Sequence, residues 1–373
     1  MKKSLSILIA TVLSLSLFAG CGSKTEPKKE GEKAPVTDTK KDEAGIAKLG
    51  LGLITTIGKS KDLGVDKNGK EVLPVGQVDT VIVAAGFDKD GKIVKVTIDT
   101  AQTKVNYEKD LKIKSDVKAP IKTKVELKED YKMKGSSKIG KEWYEQIAEL
   151  EKWMIGKTVE EVKAMKVKKV DDSHTQVPDI AELTSTVTID VGGYVAALEE
   201  AYKNAVEIKE GAVKVGLGNE VSMAKSKALG VDKNGKEVLP VAQVDTTVAA
   251  TAFDKDGKVV ATIIDVAQTK VNFSKEGKVT SDKTVADVAS KKELKEKYNM
   301  KGSSKIGKEW FEQAAEFEKW MAGKSIEDIK ALKTKKVDDN HTQVPDVAEL
   351  TSTVTIDIGG YRNAVVESLA NAK

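Results

Sequence analysis

The 373-residue chain holds one cysteine, two histidines and a single arginine, and only 5% of it is aromatic. With Cys21 alone, an intrachain disulfide, a Cys-ligated zinc site, an iron–sulfur cluster and a thioether-linked haem are all excluded, so any redox chemistry needs an organic cofactor. His174 and His341 fall in different halves of the chain, which argues against a histidine-rich metal centre, and no metal is expected. Against 58 Asp+Glu stand 62 Lys+Arg, and Arg362 is the only guanidinium. A net charge of +4 carried by scattered lysines lacks the arginine clusters and basic excess of a nucleic-acid reader. There is also no Gly-rich dinucleotide or P-loop signature.

What is present is a chain with 40% hydrophobic and 32% charged residues, apolar enough to bury cores. At ~150 residues per domain, its length suggests two or three domains. Lys2 and Lys3, an apolar run over residues 5–18 and Ala19-Gly20 read as a signal peptide spanning 1–20, with a run too short to cross a bilayer comfortably. Its Phe-Ala-Gly-Cys ending resembles a bacterial lipoprotein signal, in which Cys21 becomes the acylated first residue (palmitate-type chains) and anchors the protein to the lipid bilayer. Residues 21–44, rich in Lys, Glu, Thr and Pro, read as a disordered tether with a coil reach of about 25 to 30 Å.

Self-comparison shows a duplication, residues 46–204 recurring as 212–371. GVDKNGKEVLPV at 64–75 returns at 230–241, KGSSKIGKEW at 134–143 returns at 301–310, and HTQVPD at 174–179 returns at 341–346. AELTSTVTID at 181–190 equals 348–357 letter for letter, whereas 107–126 and 273–293 differ freely. Each copy is long enough for its own core, which gives two homologous domains, 45–206 and 211–373.

The expected fold is α+β, each repeat a small antiparallel sheet of hairpins packed with helices. Asn68-Gly69 suits a type I′ hairpin turn, and β-rich runs at 78–87 and 92–99 flank Asp90-Gly91, with counterparts at 244–253 and 258–265. The Asp-Lys-Asn-Gly and Asp-Lys-Asp-Gly turns lack the ligand spacing of a calcium loop. Apolar residues at three- and four-residue spacing predict a helix over 137–156 that carries Trp143 and Trp153. Thr158 with Glu161, and Ser325 with Asp328, predict capping boxes for a second helix. A strand at 187–189 should then meet a helix at 195–205 through Gly192-Gly193, a corner that admits close approach by a ligand.

Glu182-Leu-Thr-Ser-Thr-Val-Thr188 and its copy Glu349 to Thr355 place an acid six residues before a threonine. This pattern resembles the flavin-transferase recognition sequence Asp-x-x-Ser/Thr-Gly-Ala-Thr. On that alignment Glu182 and Glu349 stand for the acid, Ser185 and Ser352 for the hydroxyl, and Thr188 and Thr355 for the acceptor, with Thr186 and Thr353 next in line. The Glu, Thr186 and Val187 depart from the pattern. With the IGKEW-(Y/F)-EQ and TSTVTID-(V/I)-GGY stretches, both repeats, the tether and the signal resemble the PplA family of extracellular electron-transfer flavoproteins from Gram-positive bacteria.

The resemblance implies two covalently bound FMN groups, attached from FAD by an ApbE-type flavin transferase. It also implies a carrier on the outer face of the cell membrane, between a quinol-linked membrane donor and extracellular acceptors such as ferric iron. His174, His341, Trp143 and Trp310 are candidate flavin neighbours. The competing expectation is a non-redox lipoprotein, a solute-binding or cell-wall module whose duplication raises avidity.

Overall fold

The computed structural model describes residues 45–373; the signal peptide, Cys21 and the tether lie outside the described residues. These described residues lie in one compact unit. The first half runs β1 (Lys48–Thr56), β2 (Gly64–Val65), β3 (Glu71–Val72), β4 (Val75–Phe87) and β5 (Ile93–Asn106). It continues with α1 (Lys124–Leu127), α2 (Trp143–Met154), α3 (Val159–Lys163), β6 (Val167–Lys168), β7 (Val177–Pro178), α4 (Gly192–Lys203) and β8 (Val206–Glu207). In the second half β9 (Lys214–Ser222), β10 (Gly230–Val231), β11 (Glu237–Val238), β12 (Val241–Phe253) and β13 (Val259–Asn272) come first. There follow α5 (Lys291–Leu294), α6 (Trp310–Met321), α7 (Ile326–Lys330), β14 (Thr334–Lys335), β15 (Val344–Pro345) and α8 (Gly359–Ala370). The protein is thus mixed α and β, with small antiparallel sheets, in the order β5-β4-β1-β8 and β13-β12-β9 for the two main ones.

β1 explains the layering. Its Leu49, Leu51 and Leu53 point to one face and join Val215, Leu217, Val248 and Ala250 of the other half in a shared core. Gly50 and Gly52 point to the opposite face, where a Cβ would fall 2.2 Å from Ala201 O and 1.9 Å from Ala197 O of α4. Only glycine lets the helix backbone come this close, and Gly216 and Gly218 do the same for α8. Period-two alternation therefore sets helices on the outer face of each sheet and the two sheets against one another. On the outer face of the first sheet, Val83, Ala85 and Phe87 of β4 meet Trp143, Ile147, Leu150 and Leu198.

The halves meet about a pseudo-two-fold axis, and counterparts touch. The Tyr107 ring packs on Phe273, with centroids 5.2 Å apart, and a Cβ on Gly76 would meet Ala242. Leu63 N donates to Gly277 O at 2.8 Å, and reciprocally Leu229 N donates to Leu111 O at 3.2 Å. Residue i meeting j while the counterpart of j meets the counterpart of i is the mark of an isologous interface.

Several local expectations are corrected. Of Asn68 and Gly69, only Gly69 has positive φ (75°), and Gly69 N donates to Asp66 O, so the turn is type I closed by a glycine bulge and not type I′. Asp66 Oδ1 accepts from Asn68 N and Lys70 N, which supplies the turn chemistry. The helix expected from 137 starts at Trp143, because buried Glu142 serves as N-cap and its carboxylate accepts from Met133 N and Lys134 N. Residues 187–189 are not a strand: Leu183 and Val187, four apart, are both buried, and Val187 N donates to Leu183 O in successive turns. The last helix begins at Gly192, three residues earlier than expected. Both capping boxes, Thr158–Glu161 and Ser325–Asp328, are present as expected.

One charged feature sits between the halves. Glu200 of α4, Asp287 and Glu293 bring carboxylate oxygens within 4.8 Å of one another, and Leu53 N and Thr55 N donate to Glu200 and Asp287. Burial first, then Glu293 and Asp287, push Glu200 from 4.5 up to about 8. The folded state therefore binds this proton more tightly than the unfolded chain. The stabilisation is complete below pH 4.5 and is lost as pH rises through about 8. Urea midpoints recorded from pH 5 to 8.5 are expected to fall, and Glu200→Gln to flatten the slope; a flat wild-type profile would refute the assignment. In the packing of α4 on β1, Gly52→Ala is expected to cost about 2 to 3 kcal/mol in the same measurement.

Candidate functional site

The site is built from the stretches that the two halves share. Ser136, Ser137 and Lys138 come from the KGSSKIGKEW segment, His174, Val177 and Pro178 from HTQVPD, and Thr184, Val187, Thr188 and Ile189 from AELTSTVTID. All face one cavity of about 440 Å³. The second half repeats it at about 370 Å³, with Ser304, Lys305, His341 and Thr355 in the matching places. Both volumes lie in the range of small-molecule sites, roughly 300 to 1,000 Å³. The fourth repeated block, at 64–75, forms the β2-β3 hairpin and takes no part.

Gln146 holds the site together. Its side chain is fully buried on the face of α2 that also carries Trp143 and Leu150. Oε1 accepts from Thr188 N at 2.8 Å and from Thr188 Oγ1 at 3.3 Å, while Nε2 donates to Ser137 Oγ at 3.2 Å and to Lys141 O at 3.4 Å. Gln313 makes the same four bonds to Thr355, Ser304 and Lys308. One carboxamide thus ties the helix, the Ser-Ser loop and the threonine segment to a common wall.

Asp190 fixes the remaining side. Its Oδ2 accepts from Thr175 N at 2.7 Å and Gln176 N at 2.8 Å, and its Oδ1 from Gly192 N at 3.0 Å, so the histidine loop is clamped to the start of α4. His174 Nδ1 lies 2.8 Å from Asp171 Oδ1 in a tight turn, and that hydrogen bond is the main reason the Asp171 carboxyl is held below its ordinary value. Because an ionised carboxylate only accepts, Nδ1 is the donor of this bond. His341 and Asp338 repeat the arrangement.

Among the residues singled out in the sequence, Thr188 and His174 are brought together on one cavity, as are Thr355 and His341. Thr186 and Thr353 do not line it; each hydroxyl donates to a carbonyl of its own turn, Leu183 O and Leu350 O. Ser185 and Glu182 are exposed, as are Ser352 and Glu349, and Glu182 borders a shallow groove beside Trp153 and Lys157. Trp143 and Trp310 are core residues whose indole N–H donates to Tyr194 and Tyr361. Sequence reasoning missed Gln146, Ser137 and Lys168. Its available clue was a glutamine three residues after Trp143, on the apolar face of a helix.

Comparisons with protein-family models, with curated proteins and with solved structures found no match. Replacing Gln146 by methionine, close in volume, is expected to leave Thr188 N without its acceptor and to cost about 2 kcal/mol. Hydrogen exchange at the Thr188 amide should quicken in the variant; unchanged exchange would remove Gln146 from this role.

Proposed function

We propose that this chain is a membrane-anchored extracellular electron carrier. Each repeat, 45–206 and 211–373, acts as a flavin-bearing domain, with one FMN attached covalently at Thr188 and one at Thr355. Lipidation at Cys21 and the tether keep it at the outer membrane surface, between a quinol-linked donor and acceptors such as ferric iron. The reading rests on one observation above all: three copied segments converge on one cavity that the threonine lines.

The residues present fit such a group. Thr188 is half-buried and lines the cavity. In attachment, Thr188 Oγ1 attacks the phosphorus on the FMN side of FAD, an O–P bond forms, the pyrophosphate bond breaks and AMP departs. The hydroxyl proton passes to a base of the ApbE-type transferase, the catalyst of the step. Gln146 Oε1 orients the hydroxyl beforehand, and Lys138 brings positive charge to the same cavity, suited to a phosphodiester, beside Lys168, which is paired with Asp179 at 3.0 Å. Asp171 fixes the His174 ring through Nδ1, which leaves Nε2 outside that bond. When bound, a flavin supplies reversible electron uptake, the redox capacity that the side chains lack.

Intact mass decides the matter. The protein produced together with a flavin transferase should gain two FMN units, Thr188→Ala or Thr355→Ala one, and the double variant none. No added mass on the wild-type protein favours the non-redox lipoprotein, and label surviving in the double variant moves the acceptor elsewhere in the segment.

A further inference from the structure

Beside the first cavity of the first half lies a second, of about 410 Å³, and Met133, His174 and Ile189 belong to the walls of both. Lys124 enters this second space. Its Nζ sits 4.8 Å from the ring centroid of Tyr131 and 5.2 Å from that of Trp143. In the other half Lys291 stands 4.8 Å from Tyr298 and 5.3 Å from Trp310, and is only 9% exposed. Neither ammonium forms an ion pair among the described residues, and the carboxylates acting on Lys124 from farther off are Asp79 and Asp99. Thr100, 4% exposed, and Tyr194 also belong to this wall.

An ammonium buried without an anion is costly, since desolvation takes several kcal/mol and two aromatic faces return roughly 2. Burial accordingly draws Lys124 and Lys291 down to about 8. Apolar residues would fill the same volume at lower cost, yet the lysine, tyrosine and tryptophan recur together in both halves. Such an arrangement suits a partner that arrives from outside the chain, planar enough to lie among the rings and carrying electron-rich oxygen or nitrogen at its edge.

We propose that this second cavity receives the ring system of the flavin, with Lys124, and Lys291 in the other half, as the cation that holds it. The inference rests on the flavin reading above and adds a division of labour. The first cavity, with Thr188, Lys138 and Lys168, serves the phosphate end, and the second, with Lys124, Tyr131 and Trp143, serves the ring.

The test needs no covalent attachment. Protein made without the transferase is titrated with free FMN, and quenching of FMN and tryptophan fluorescence is followed. Saturable quenching is expected, weakened about tenfold or more in the Lys124→Met/Lys291→Met double variant. The same variant should melt at a higher temperature than wild type, because an unpaired buried charge is gone; a lysine that only glued the rings together would show the opposite shift. Quenching that fails to saturate, or that is equal in wild type and variant, overturns the proposal. Failure of attachment is read separately by mass, so the two ideas fall by different measurements.

Discussion

Both faces of β1 must be covered at once, and this constraint organises the molecule. Leucines on one face commit the strand to the other half's sheet, and glycines on the other let α4 settle backbone against backbone. Because α4 is held by contact with Gly50 and Gly52, its first turn has a defined place. Asp190 then hangs the histidine loop from that turn. The geometry of the cavity is thus inherited from a packing decision made in a nine-residue strand on the far side of the helix.

Within that frame the polar groups divide into two kinds. Gln146, Glu142 and Asp190 are buried or half-buried with partners for their oxygens, and they act as fasteners. Half-buried Lys124 and buried Lys291 lie against aromatic rings with no ion pair among the described residues, which a folding chain tolerates only at a cost. The contrast is informative because the Gln146 fastener lines the first cavity and Lys124 lines the second beside it. Polar groups retained against stability are where local rules are expected to fail for functional reasons.

Much of this was legible in the residues. The duplication, the long strand pairs around Asp90-Gly91 and Asp256-Gly257, the tryptophan helix and both capping boxes follow from identity, periodicity and turn chemistry. β1 was not legible: Leu-Gly-Leu-Gly carries the right alternation, but glycine weakens a strand reading, and its use as a helix seat shows only once the helix is in place. The Thr-Ser-Thr-Val-Thr run reads as a strand by propensity, yet burying Leu183 and Val187 together forces turns, a tertiary override of local preference. The site was half legible. Identity between the copies marked three segments that line the cavity and one, at 64–75, that does not, whereas Gln146 and Lys124 make contacts between segments distant in sequence, which spacing alone does not reveal.

The pseudo-two-fold packing also bears on why two copies are kept in one chain. Tyr107 against Phe273, and the reciprocal bonds of Leu63 and Leu229, bury surfaces that a single copy would leave open to water. A half released from its partner would expose the leucine face of its sheet, an apolar patch that soluble chains avoid. The duplication is therefore structural before it is functional, and the two cavities are carried by one compact unit. Under the proposed carrier role, two groups held by a common core would keep a fixed separation, and exchange between them would be set by the fold.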